Sequence, residues 1–185
     1  MKPVNNKAKA LAAIISSFLM TCSTFAFAAQ ECNGTTVTTD ESSFEISESE
    51  PGFVIHSSTG LAWARCVVGQ QWNDDDGTCD GLAVRLTWQD ALKLSNTYEL
   101  EQRTDWRLPN IKELASIVER NCVTPAVNAT IFPNTPSGEF WSSSPKMTGD
   151  SGRKVWAVLF STGGLDSYNT DQDFYVRMVR YAEQH

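Results

Sequence analysis

The chain has 185 residues, 41% of them hydrophobic, with 22 acidic against 15 basic side chains and a formal net charge of −7. A surface this acidic, without a local basic patch, repels nucleic acid, heparin-like polymers and anionic membranes. Two histidines and five cysteines leave little material for catalysis or for a Cys/His metal centre.

The N-terminus carries a basic head (Lys2, Lys7, Lys9), an uncharged apolar run from Ala10 to Met20, and a small-residue exit at Ala26-Phe27-Ala28. This layout predicts a secretory signal over 1–28, cleaved after Ala28. The apolar run is shorter than the roughly 20 residues that span a bilayer. Lipidation at Cys22 is the less favoured alternative, since Thr21 is a poor residue before a lipidated cysteine. Cleavage removes three lysines and no acid, moving the charge from −7 to −10. The expected destination is the periplasm or the exterior, with no membrane span.

Of the cysteines, Cys32, Cys66, Cys79 and Cys122 remain after cleavage. In an oxidising compartment they predict two disulfides, with three possible connectivities. Cys66 and Cys79 bracket a short polar loop and form the natural local pair, which leaves Cys32 with Cys122. The spacings fit no zinc pattern, and His56 and His185 are isolated.

Residues 29–50, rich in Thr, Ser and Glu, read as a polar lead-in outside the core. A single domain is expected over 51–183. Phe53-Val54-Ile55 and Leu61-Ala62-Trp63-Ala64 flank Ser57-Ser58-Thr59-Gly60 and predict a hairpin. Thr87, with Asp90 three residues on, opens one amphipathic helix. Asn110, with Glu113 three residues on, opens a second through Ile111, Leu114, Ala115 and Val118. The last third reads as strands: 139–143, the alternating run 154–161, a turn at Thr162-Gly163-Gly164, 165–168, and 174–181. Strands, then helices, then strands predict an α+β fold with an antiparallel or mixed sheet.

Seven ordered blocks then resemble one bacterial family. They are Thr59-Gly60-Leu61-Ala62-Trp63; the Cys66–Cys79 loop holding Gly69-Gln70-Gln71-Trp72; Thr87-Trp88-Gln89-Asp90-Ala91; Asp105-Trp106-Arg107-Leu108-Pro109-Asn110-Ile111-Lys112-Glu113-Leu114; Phe132-Pro133-Asn134-Thr135-Pro136; Phe140-Trp141-Ser142-Ser143; and Tyr175-Val176-Arg177-Met178-Val179-Arg180. The chain is similar over about 50–182 to the Lcl C-terminal-like domain, named for the tail of a collagen-like adhesin. The resemblance implies a C-type-lectin-like fold, disulfide-stapled, with two helices and long loops, and an extracytoplasmic role. The namesake binds sulfated polysaccharides; this chain is acidic and lacks the collagen-like stalk, so neither that ligand nor an oligomeric state is carried over.

Within the strongest block, Trp106 and Leu108 are expected in the core, Pro109 ends a strand, Asn110 and Glu113 cap a helix, and Arg107 meets an internal carboxylate or backbone carbonyls. Two loops are candidate ligand sites. The first is Trp72-Asn73-Asp74, where Asp74, Asp75 and Asp76 are weak calcium candidates and are more simply a solvated turn closed by Gly77. The second is Tyr168, Asn169, Asp171 and Asp173, an aromatic among polar groups able to take a sugar. No catalytic residue and no cofactor is expected. The reading is a non-catalytic module for a glycan or a cell-surface protein. The alternatives are an accessory subunit of a surface assembly such as a fimbria and, further off, a formylglycine-generating type of enzyme, whose late cysteines have no counterpart after Cys122.

Overall fold

The computed structural model describes residues 30–34, 37–147 and 153–183. The expected signal segment, Cys22 and His185 lie outside the described residues.

The chain folds mostly as sheet. A two-residue strand β1 (Glu31–Cys32) precedes β2 (Phe44–Ser47), β3 (Glu50–His56) and β4 (Leu61–Ala64). A hairpin of β5 (Gln70–Asn73) and β6 (Thr78–Gly81) follows, then helices α1 (Trp88–Ser95) and α2 (Ile111–Ala115). The remainder is β7 (Cys122–Val123), β8 (Glu139–Pro145), β9 (Lys154–Leu159), β10 (Gly164–Asn169) and β11 (Val179–Tyr181). A four-stranded sheet runs β11-β4-β3-β2, a three-stranded sheet runs β10-β9-β8, and β1-β7 and β5-β6 form two small ribbons. Among the described residues every strand pair is antiparallel, and the one parallel contact is an isolated bridge between Phe140 and Tyr175.

The β3–β4 hairpin forms where the turn residues put it. Gly60 takes φ 64°, and its N–H and that of Thr59 donate to the His56 carbonyl at 3.0 and 3.1 Å. All four residues of β4 are buried, because the strand has core on both faces. Val54, Leu61 and Trp63 pack with Leu114, Ile117, Phe132 and Phe140. Phe53, Ala62 and Ala64 pack with Trp106, Leu108, Trp141 and Ala91. The alternation in β9 divides in the same way: Val158 joins the first cluster, Val155 and Ala157 the second.

Both helix starts follow from side-chain capping. The Thr87 hydroxyl accepts from the Asp90 N–H. Asn110 Oδ1 accepts from the N–H groups of Lys112 and Glu113 at 2.9 and 3.0 Å, and Glu113 Oε2 takes the Asn110 N–H at 2.7 Å, completing a reciprocal cap. Arg107 lays its guanidinium fork on the Glu113 carboxylate, two bonds of 2.8 Å. The disulfides are Cys32–Cys122 and Cys66–Cys79, the pairing expected from the spacing.

Three expectations are corrected. The lead-in is not outside the core: Phe44 is 7% exposed, stacks on His56 at 4.6 Å and meets Phe132 edge-on at 5.7 Å. The buried Glu119 carboxylate accepts the N–H and hydroxyl groups of Thr38 and Thr39, which fastens this segment to the body. Residues 174–181 are not one strand. Only Val179–Tyr181 pairs with β4, whereas Phe174 and Tyr175 bridge to Leu86 and Phe140. The stretch is shared between neighbours, so its pairing partner changes along its length. Finally, the Cys66–Cys79 segment is a paired hairpin rather than a loop, with Trp72 opposite Cys79.

Candidate functional site

Trp72 sits in β5 and is partly buried. One face of its indole carries the Arg65 guanidinium, 3.8 Å from the ring centroid. Arg65 is only 6% exposed, and its N–H groups donate to the carbonyls of Ile131, Pro51 and Thr130. Burial pushes its pKa down to about 10. The indole N–H donates to Asp74 at 2.8 Å. The ring is therefore fixed in position and tilt before any ligand arrives.

A cleft of about 660 Å³ opens beside this ring, between β5 and the segment after α1. Gln70, Gln71 and Trp72 of β5 line it together with Tyr98, Glu99, Glu101 and Gln102. The latter stretch is built on an unusual turn. Glu101 and Gln102 both hold left-handed backbone (φ 50° and 60°), while Leu100 and Arg103 exchange N–H···O bonds of 3.1 Å in both directions. That is a two-residue hairpin of the kind usually given Asn-Gly, here made without glycine. Arg103 restrains it by bonding Glu50 and the Glu101 carbonyl, and Glu101 Oε1 accepts from the Gly52 N–H at 3.3 Å. A Cβ at Gly52 would lie 2.7 Å from that oxygen, so a side chain there would displace the Glu101 carboxylate.

Arg177 is fully buried and bonded to Ala64, a residue of the cleft lining. It donates to the carbonyls of Ala64 and Arg65 and, at 2.6 Å, to the Thr135 hydroxyl. Its guanidinium also faces the Phe132 ring at 4.7 Å, and burial pushes its pKa down to about 9. Neither Arg65 nor Arg177 pairs with a carboxylate among the described residues. Both act as cross-braces that tie backbone carbonyls of separate segments together.

The acidic turn behaves otherwise. Asp76 Oδ1 accepts the N–H and hydroxyl of Thr78, the Asp75 N–H donates to Asn73 Oδ1, Asn73 Nδ2 donates to Asp80, and Gly77 supplies φ 69°. Those groups close the β5–β6 hairpin. Among the described residues, no three His, Cys, Asp or Glu side chains converge where they could hold a metal ion.

The second candidate cluster separates from the first. Tyr168 lies in β10 with its ring edge-on to Phe174 at 4.8 Å, partly absorbed into the second core cluster. Asn169, Asp171 and Asp173 are exposed. None of these four residues lines the cleft beside Trp72. Sequence reasoning found Trp72 but missed Arg65, Tyr98, Glu99, Glu101 and Gln102. Nothing in the left-handed pair Glu101-Gln102 announces a hairpin, and a buried arginine has no local signature.

The molecule is thus a disulfide-stapled α+β domain with a preformed surface cleft, and no described helix is long and apolar enough to cross a membrane. The chain belongs to the Lcl C-terminal domain family, which matches residues 52–180. No curated protein matches the sequence.

Proposed function

We propose that this is an exported, C-type-lectin-like binding module that recognises a saccharide in the cleft beside Trp72 and performs no chemistry on it. The observation that carries the reading is the composition of that cleft. A rigidly backed indole offers ring surface for a sugar's C–H face, and the exposed amides of Gln71 and Gln102 offer donors and acceptors for its hydroxyls, while Gln70 is held by the Val67 N–H and the Asn134 carbonyl. The antiparallel sheets, two short helices and long connections are compatible with a lectin-like arrangement. Two closed disulfides fit an oxidising compartment.

The non-catalytic part of the proposal has its own support. The four described cysteines are all bonded, and the His56 ring, stacked on Phe44 with Nε2 against the Ser58 hydroxyl, lies outside the lining of the cleft. The carboxylates of Asp74 and Asp76 are engaged within their own hairpin, so calcium has no part in this reading.

A glycan array probed with the oxidised mature chain, with calcium and again with chelator, tests the proposal. The expected result is a related set of glycans, bound equally in both conditions and lost in Trp72→Ala while melting behaviour is retained. A blank array from folded protein refutes it.

A second reading has one observation behind it. Leu82, 85% exposed, stands at a second cleft of about 510 Å³, adjoining the first at Gln70 and lined by Ala83, Pro125, Phe132, Pro136 and Tyr175. Apolar surface of this kind fits a protein partner, as an accessory subunit of a surface assembly would require. Co-purification from envelope extract, abolished by Leu82→Asp, would favour it.

A further inference from the structure

The charges in the cleft narrow the ligand class. Two carboxylates, Glu99 and Glu101, line it, and no cationic side chain does. Glu99 is exposed and forms no ion pair among the described residues. Glu101 takes one N–H, from Gly52, on Oε1. Its neighbour Arg103 is committed to Glu50 and, at 3.7 Å, to Glu183. Glu101 is the first residue of the left-handed turn and Glu99 lies two residues before it, so both acids come from one short stretch of the lining that Trp72 shares. Neither buried arginine lines the cleft, and their N–H groups are aimed at backbone carbonyls and the Thr135 hydroxyl, so neither offers a hydrogen bond to an anion there.

We infer that the cleft takes an amine-bearing saccharide, its ring lying on Trp72 and its ammonium group reaching Glu99 and Glu101. This inference rests on the saccharide reading above. The Arg65 charge on the indole disfavours a cation directly over that ring, which directs the ammonium to the two carboxylates. A sulfated or uronic-acid sugar would meet two like charges there with no compensating cation in the lining.

Three oligosaccharides of equal length separate the outcomes by calorimetric titration: β-1,4-linked glucosamine, its N-acetylated counterpart, and a polyuronate. The titrations are run below the pH range in which sugar amines deprotonate. The expected order is glucosamine about tenfold tighter than the N-acetyl form, as a charge-assisted hydrogen bond in a half-enclosed site allows, with no binding of the polyuronate. The double variant Glu99→Gln/Glu101→Gln keeps the Glu101 acceptor for Gly52 and abolishes the tenfold preference. Equal or tighter binding of the N-acetyl form, still lost in Trp72→Ala, overturns the ammonium inference and leaves the saccharide reading standing. Binding of the polyuronate at this cleft overturns the charge argument outright. Failure of all three sugars to bind folded protein removes both.

Discussion

Replacing Glu113 by Ala should lower the stability of the domain by about 2 kcal/mol, a figure assembled from two contributions. The first is the reciprocal cap: the Asn110 N–H loses its acceptor at 2.7 Å, and loss of a helix cap typically costs about 1 kcal/mol. The second is the fork to Arg107, two bonds of 2.8 Å with side-chain exposures of 32% for Arg107 and 13% for Glu113. A fully buried pair broken on one side would cost several kcal/mol, but an arginine one-third exposed recovers water and rests against the Tyr181 ring at 4.8 Å. About 1 kcal/mol is therefore the appropriate share for the pair. Glu113→Gln retains an acceptor for the cap and loses the charge, so it should lie about 1 kcal/mol below the parent. Urea unfolding with disulfides intact reads this as a midpoint lowered by about 1 M for the Ala variant, with an unchanged slope. A loss below about 0.5 kcal/mol for Glu113→Ala, which is ordinary for a surface substitution, would refute the assignment of this pair as the organiser of α2.

The remaining predictions concern pH, the N-terminal segment and the disulfides. Burial alone would raise the Glu113 and Glu119 carboxyls, but the Arg107 fork in one case and the N–H groups of Asn121 and Thr39 in the other hold both below the usual range. A depressed carboxyl stabilises the fold above its unfolded value, so stability should decline as pH falls below about 4, read by melting across an acid series. Burial also depresses His56, whose unfolded state takes the proton first. Stability should thus be complete above about pH 6.5 and decline below it, and His56→Phe, which keeps the stack on Phe44, should flatten that slope. Glu119→Ala should cost about 2–4 kcal/mol and expose 37–41 to hydrogen exchange ahead of the β3–β4 hairpin, because the N–H groups of Thr38 and Thr39 lose their buried acceptor; equal protection in both regions would contradict this. Opening Cys32–Cys122, 90 residues apart, should cost about 4.6 kcal/mol against about 2.9 for Cys66–Cys79, 13 apart, if chain entropy governs. Paired Cys→Ser variants compared by urea midpoint test that order, and a reversal would sink the entropic account.

What could be read from the sequence was local. The Gly60 turn, the Thr87 and Asn110 caps and the alternation of β9 each involve groups a few residues apart, whose backbone demands hold wherever the segment sits in the fold. The disulfide pairing followed because one pair was close in sequence and only two cysteines remained. Trp72 stood out by residue type, yet its role as a rigid platform depends on Arg65 and on carbonyls of Ile131 and Thr130, some sixty residues further along the chain. Tertiary structure alone decided that Phe44 would enter the core and that residues 174–181 would divide their hydrogen bonds among neighbours. The cleft itself is of this second kind. Its lining comes from β5, the Tyr98–Gln102 segment and residues between β3 and β5, and it exists only because the packed body brings these separate stretches together. Capping and turn chemistry are satisfied by neighbours in sequence, whereas a cleft is a relation between surfaces that meet only after the chain has folded.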